Sequence, residues 1–253
     1  MTQFFRAERA PRPSLRRHVA CVWAARDDND DPLLPDAAVE LVWSGRGLFV
    51  RGADTRAHAV GSFPERTFVG IRFRPGAAAD VLGLYGAELA DARIGVSELW
   101  GFAEMERIES GLRDCTWAED AAALLEDVVS ARVQAAPDRA VEGAVAALER
   151  GRTPVRALAD RLGLSERQLR RRCVDALGYG PRTLDRILRF QRFRVVAARR
   201  RDLGLADLAA VIGYADQAHL TRECRRLSGE SPASLLARGR MTVSFKTRQP
   251  ALQ

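Results

Sequence analysis

The sequence predicts an α+β protein. A β-rich N-terminal domain turns helical, and an all-α domain of two helix-turn-helix units joined by a long linker helix follows it. Three observations carry this prediction. Short runs rich in Val, Phe and Trp, divided by turn formers, fill the first 75 residues. From Ala77 the apolar residues recur at helical spacing. A two-helix pattern in the last hundred or so residues then occurs twice.

The expected strands are Val19–Ala25, Val39–Trp43, Leu48–Arg51 and Thr67–Phe73. Between them lie Asp27-Asp28-Asn29-Asp30 and Ser44-Gly45, and Arg74-Pro75-Gly76 follows the last. The expected helices are Ala77–Leu84, Ser97–Leu112, Trp117–Ala135 and Asp138–Arg150. Ser97 is placed to cap the second, and Pro137 marks the end of the third. The segment 150–153 is the predicted boundary. It gives an N-terminal domain at 1–150, a helical domain at 151–240 and a tail at 241–253.

The repeat organises the helical domain. Leu158-Ala159-x-x-Leu162-Gly163 recurs fifty residues later as Leu208-Ala209-x-x-Ile212-Gly213. One residue is inserted in the second turn, so Leu169, Arg171 and Cys173 return as Leu220, Arg222 and Cys224. The exit Gly178-x-x-Pro181-x-x-Leu184 returns as Gly229-x-x-Pro232-x-x-Leu235. Two copies are too few for a solenoid, so a duplicated two-helix module is expected.

The first module opens with Thr153 as a capping type and Pro154 at the first helical position. Val155, Leu158, Ala159 and Leu162 form its core stripe. Gly163 stops the helix, Ser165 caps the next, and Gln168 completes an S-x-x-Q capping box. On that second helix Leu169, Cys173 and Leu177 face inward. Arg167, Arg170 and Arg171 share the opposite face. Guanidinium groups near a helix N-terminus can fork onto guanine O6 and N7 or meet phosphates, so this face suits a major groove. In the second module Gly213-Tyr214-Ala215 makes the turn and Asp216 caps the helix. Leu220 and Cys224 face inward, while Gln217, Ala218, Thr221 and Arg222 face outward. Gln can read adenine, Thr a base or a phosphate, and Ala the thymine methyl. His219 reads as a structural residue. The linker Pro181–Arg201 carries Ile187, Leu188, Phe190, Phe193, Val195 and Val196 on its apolar side. Arg182, Arg186, Arg189, Arg192, Arg194 and Arg199 are expected to line the remainder. Twenty residues of helix span ~30 Å, close to the ~34 Å between successive major grooves on one side of B-DNA.

Charge follows the same division. Residues 152–240 hold 20 Arg against 9 acidic residues, a net of +11, and residues 1–151 hold 18 Arg against 24, a net of −6. A basic half favours a polyanion. No stretch reaches 18 consecutive apolar residues, so no membrane span is expected, and the N-terminus lacks the apolar core of a signal peptide. The four cysteines are far apart and form no CxxC pair, which fits reduced thiols in a cytosol.

These residues resemble the AraC/XylS family of bacterial transcription regulators. The resemblance covers about residues 152–238, including both modules, the linker and the Gly-x-x-Pro exit. It implies a cytoplasmic regulator that binds double-stranded promoter DNA, as a homodimer and in contact with RNA polymerase. Carried over, the first recognition helix would use Arg167, Arg170 and Arg171 beside Gln168. The second would use Gln217, Thr221 and Arg222 beside Ala218. The family's second recognition helix usually carries aromatic core residues where this chain has Leu220 and Cys224. It also often has Tyr-Arg past the proline, where this chain has Leu235-Leu236. A less tightly packed second module is therefore expected. The N-terminal segments Leu34-Pro35-Asp36, Glu40-Leu41-Val42-Trp43 and Gly70-Ile71-Arg72-Phe73-Arg74-Pro75-Gly76 resemble a recurrent but poorly characterised partner of this domain. Such a partner senses a small-molecule effector or mediates dimerisation.

Asp36, Glu40, Trp43, Arg72 and Phe73 are the effector-binding candidates, since they fall near strand ends. Polar turns and apolar core account for the same residues without a ligand. None of His18, His58 and His219 lies in a metal-ligand spacing, and His18-Val-Ala-Cys21 offers two ligands where a site needs three or four. No nucleophile elbow, P-loop or dinucleotide fingerprint occurs, so no cofactor and no catalytic residue is expected. Three readings follow. The N-terminal half of a DNA-binding regulator binds an effector, or it only dimerises or holds a protein partner. In the third, an enzyme such as a repair protein carries the DNA-binding module.

Overall fold

The computed structural model describes residues 5–26, 32–59, 67–151 and 153–238. The expected turn at 27–30, Arg152 of the boundary and the tail 241–253 lie outside them.

The N-terminal half is built on one antiparallel sheet of six strands: β1 (Phe5–Arg9), β2 (Val19–Arg26), β3 (Glu40–Trp43), β4 (Leu48–Arg51), β5 (Thr67–Phe73) and β6 (Arg93–Gly95). Their order across the sheet is β1-β2-β5-β3-β4-β6. The four predicted strands are present to within a residue at each end. The two unpredicted ones are the edges. β1 reads Phe-Arg-Ala-Glu-Arg and β6 Arg-Ile-Gly, so neither shows apolar alternation.

Strand alternation gives the sheet two different faces. Leu41 pairs with Ile71 and Trp43 with Val69, and these join Phe73, Val22 and Val50 in the main core. On the other face Val42, Trp23, Ala25 and Phe68 form a smaller apolar cluster. The Trp23 ring lies so close over Gly70 that a Cβ there would come within 2.5 Å of it. The main core is covered by α3 (Val96–Asp114) and α4 (Ala118–Ser130), after two short helices, α1 (Ala78–Leu82) and α2 (Gly86–Leu89).

Several predicted helix ends move, and α1 stops at Leu82, two residues short of Leu84, with Gly83 as its left-handed cap. α3 starts at Val96 with Gly95 as its cap, and the box is closed by Glu98 accepting from the Gly95 N–H at 3.1 Å; Ser97 sits inside the first turn instead. Non-helical Gly101 (φ 79°) breaks α3. α4 stops at Ser130, and Pro137 instead precedes Asp138, the cap of α5 (Arg139–Arg150). Asp138 accepts from the Ala140 N–H at 2.7 Å. A cap of this kind contributes about 1 kcal/mol.

The helical domain consists of α6 (Val155–Arg161), α7 (Glu166–Leu177), α8 (Pro181–Arg199), α9 (Leu205–Ile212), α10 (Gln217–Ser228) and α11 (Pro232–Ala237). α6 begins one residue later than expected, with Pro154 as its cap and no capping side chain, so Thr153 does not serve. The repeat is physical. Gly163 (φ 66°) and Gly213 (φ 91°) occupy the left-handed position in the turns. Gly178 (φ 82°) and Gly229 (φ 76°) occupy it at the ends of α7 and α10.

The apolar core is continuous from the sheet through α5 into α6–α10, across the expected boundary. α7 is wedged against α1, α2 and α5. A Cβ on Gly86 would lie 2.6 Å from the Gly178 nitrogen and from the carbonyl oxygens of Val174 and Asp175, so the two chain segments meet backbone to backbone.

Candidate nucleic-acid interface

α7 presents an exposed, basic outer face because its apolar residues fall on the inner one. Leu169, Cys173 and Leu177 are buried. Arg167, Gln168, Arg170, Arg171 and Arg172 are exposed. The capping box forms as the spacing requires. Ser165 Oγ accepts from the Gln168 N–H at 3.2 Å, and Gln168 Oε1 accepts from the Ser165 N–H at 2.9 Å. The Gln168 oxygen is thus committed to the cap, which leaves its amide N–H groups for another partner. Arg172 is turned aside by Asp138, 2.9 Å away, and links the helix to the cap of α5.

α10 is arranged likewise. Asp216 accepts from the His219 N–H at 2.6 Å. Gln217, Ala218 and Arg222 are exposed. Thr221 is half-buried and its hydroxyl donates to the Gln217 carbonyl at 2.9 Å, so only its acceptor lone pairs face outward. His219 accepts from the Ala215 N–H at 3.3 Å and stands edge-on to Tyr214, which makes it a brace of the turn. Arg225 and Arg226 are exposed further along and were not singled out from the sequence. They fall three and four residues beyond Arg222, so helical spacing carried the signal.

The second module is not loosely packed. Leu220 and Cys224 are fully buried, as are Leu208, Ala209, Leu227 and Leu235. Tyr214, from the turn, supplies the aromatic ring that α10 lacks, and Arg189 stacks over it at 5.5 Å. The Cys173 and Cys224 thiols are both pushed up to about 12 by burial, with Asp138 and Glu223 adding to it, so both remain neutral core residues.

The linker arginines are not the solvent-facing row expected. Arg189 and Arg194 are buried and Arg186 and Arg192 half-buried; Arg182 and Arg199 alone among the six are exposed. Arg186 pairs with Glu223 of α10 at 2.8 Å, and Arg189 pairs with Asp185. These guanidinium groups orient the second module on α8. A helix packed on several sides must bury part of its polar face, and Arg does so when paired.

The effector candidates separate. Glu40, Arg51 and Arg72 stand side by side on one sheet face, because Glu40 is in register with both arginines. Arg72 donates to Glu40 at 2.7 Å and to Asp36 at 2.5 Å, and Arg51 donates to Glu40 at 2.6 Å. Burial raises the Asp36 carboxyl, but Arg72 and Arg51 more than offset it and hold it below the ordinary range. Trp43 and Phe73 lie on the opposite face in the main core and take no part in this cluster. What reaches the cluster from the other half has no local signal in the sequence. Gln191 of α8 donates to the Pro35 carbonyl, and Arg194 donates to Gln191 at 3.1 Å. Burial brings the Arg194 guanidinium down to about 10, with Asp36 opposing and Arg72 reinforcing it, so the three groups share one electrostatic environment.

Paired two-helix modules with these caps define a helix-turn-helix DNA-binding protein. Residues 158–238 match a family profile described as a helix-turn-helix domain, and residues 7–95 match the domain of unknown function DUF6597. The C-terminal part of the chain is an AraC-type helix-turn-helix domain, and the protein is a DNA-binding transcription regulator. No curated protein matches the chain. Among solved structures, ToxT from Vibrio cholerae is 10% identical, covering 97% of this chain and 96% of that one with a TM-score of 0.44. An unsaturated-fatty-acid-bound ToxT from the same organism is 9% identical, covering 81% and 88% with a TM-score of 0.43. Among the described residues, no helix is long and apolar enough to cross a membrane.

Proposed function

We propose that the protein is a sequence-specific regulator that lays α7 and α10 into two adjacent major-groove segments of one duplex. The observation that supports this best is the pairing of two similarly capped, outward-facing polar helices, one in each copy of the repeat and joined through α8. Its 19 residues make it about 28 Å long, near one turn of B-DNA. In this reading Arg167, Arg170 and Arg171 contact guanine edges and phosphates. Gln217, Ala218 and Arg222 read the second segment, with the Thr221 oxygen as an acceptor and the Gln168 amide as a further donor. A fluorescence-anisotropy titration of the full chain against selected and scrambled duplexes tests the reading. Selective binding supports it, and equal affinity for both overturns it.

The N-terminal half modulates this grip through its hold on α7 and α8, and Asp36, Glu40 and Arg72 are the residues best placed to report a bound effector. Thermal-shift screening of metabolites against the full chain tests that role. A second reading, in which the N-terminal half only binds a protein partner or a second copy, is supported by the exposed aromatics Tyr85, Phe102 and Trp117, at 78%, 77% and 71% exposure. Sedimentation equilibrium separates the two: a concentration-dependent dimer without any thermal response favours the second.

A further inference from the structure

A cluster of ligating side chains lies apart from α7 and α10, where the segment 52–58 leaves β4 and runs beside the chain at 91–93. The two segments are tied by the Gly52 N–H to the Ala92 carbonyl at 2.9 Å and the Asp91 N–H to the Ala53 carbonyl at 3.2 Å. His58 is fixed from behind by two backbone hydrogen bonds with Leu33, at 2.8 and 3.0 Å. These bonds bring Asp54, His58 and Asp91 together, with one ligand atom of each within 4.8 Å of the others. Asp54 is buried, and His58 and Asp91 are half-buried.

The spacing is informative. His58 Nε2 lies 3.5 Å from Asp54 Oδ1 and 3.3 Å from Asp91 Oδ1. The Asp91 contact is a long hydrogen bond, and the Asp54 contact lies beyond the usual ~3.2 Å. The two separations are close to the ~3.4 Å edge of a tetrahedron of N and O ligands around zinc at ~2.1 Å, and the third edge is within 4.8 Å. The carboxylates are also braced from outside. Arg93 donates to both Asp54 oxygens, at 2.9 and 3.0 Å. The Thr55 N–H and hydroxyl donate to Asp91 at 2.8 and 2.6 Å. Ligating carboxylates are typically hydrogen-bonded in this way by outer partners.

A second observation comes from the DNA-binding half. Tyr179 follows Gly178 at the end of α7 and is 7% exposed. Its buried hydroxyl has no hydrogen-bond partner among the described residues. Its position is set by Gly178, which packs on Ala90, the residue before Asp91: a Cβ on Gly178 would lie 2.7 Å from the Ala90 Cβ. A buried hydroxyl without a partner beside this segment is a polar group that a bound water or ion could satisfy.

We propose that Asp54, His58 and Asp91 bind a divalent cation of the zinc class. One imidazole and two carboxylates suit zinc and its transition-metal neighbours better than magnesium or calcium, which prefer all-oxygen sets. Three protein ligands leave one position for water. The cation would brace the chain at Asp91, next to Ala90 on which Gly178 packs.

Isothermal titration of the full chain with zinc chloride tests the proposal. The expected result is one equivalent bound. Thr55→Val, which removes one brace of Asp91, should weaken binding by ~10–100-fold, and His58→Gln should weaken it at least as much. Absence of binding overturns the proposal, and so does undiminished binding in a folded His58→Gln chain. If that variant does not fold, wild-type chain is titrated with cobalt(II) and the His58 ring protons are followed by NMR. Their selective paramagnetic broadening supports the site, and an unaffected His58 refutes it. The outcome is separate from DNA reading, since the titration contains no DNA.

Discussion

Gly178 and Gly229 are equivalent positions of the repeat, and substituting each by alanine isolates how firmly the N-terminal half holds α7. Both have positive φ, 82° and 76°, so each alanine carries the left-handed penalty of about 1–2 kcal/mol. Their surroundings differ. A Cβ on Gly229 meets nothing within 4 Å, whereas one on Gly178 would press on the Gly86 backbone and lie 2.7 Å from the Ala90 Cβ. Backbone and a short side chain cannot swing away, so Gly178→Ala adds an overpacking cost of about 1–3 kcal/mol. Gly229→Ala should therefore cost about 1–2 kcal/mol and Gly178→Ala about 2–5 kcal/mol. For a chain of this length each kcal/mol lowers Tm by roughly 2–4 °C. Thermal unfolding of the two variants, followed by circular dichroism, measures the difference. Equal losses would refute the docking of α7 against α2.

Arg171→Ala should weaken binding to a selected duplex by about 1–3 kcal/mol while changing random-sequence binding little; an equal loss on both makes Arg171 a phosphate contact. Affinity should fall steeply as salt rises from 50 to 200 mM, by roughly 10³–10⁵ for six to ten phosphate contacts, and a flat titration contradicts a phosphate-borne interface. Arg72→Leu removes the ion-pair partner of Asp36 and leaves Glu40 with Arg51 alone, and it should cost about 3–5 kcal/mol in urea unfolding. Asp36 also sets a pH dependence. Its folded-state value lies below the unfolded one, so its contribution is complete above about pH 4 and is lost as pH falls through the folded value. Arg72→Leu should remove that part of the acid dependence, and an unchanged acid limb would show that Asp36 does not contribute it.

The helical domain was legible because its signals are local. Caps, turn glycines and apolar spacing act within a few residues, and Ser165 with Gln168 or Gly213 with Tyr214 fold as their spacing requires. Four strands were legible for the same reason. What the sequence concealed is long-range. The linker arginines look like a solvated row until α8 is packed on several sides. Asp36, Glu40 and Arg72 could be picked as polar strand-end residues, but the approach of Gln191 and Arg194 depends on how two distant segments dock. Trp43 and Phe73 sit next to those polar residues in sequence, and alternation sends them to the other face. Asp54, His58 and Asp91 have no motif spacing and meet only where the chain leaving β4 runs beside the chain entering β6. β1 and β6 lack a pattern because an edge strand needs to bury little.

Reading of two neighbouring groove segments by α7 and α10 of one chain is tested most directly by letting the chain select duplexes from a random DNA library. The expected product is an enriched site of two elements centred about one helical turn, roughly 10–10.5 base pairs, apart. Arg171→Ala should relax one element and leave the other intact. A library that emerges with a single short element, or with no enrichment, contradicts two-segment reading.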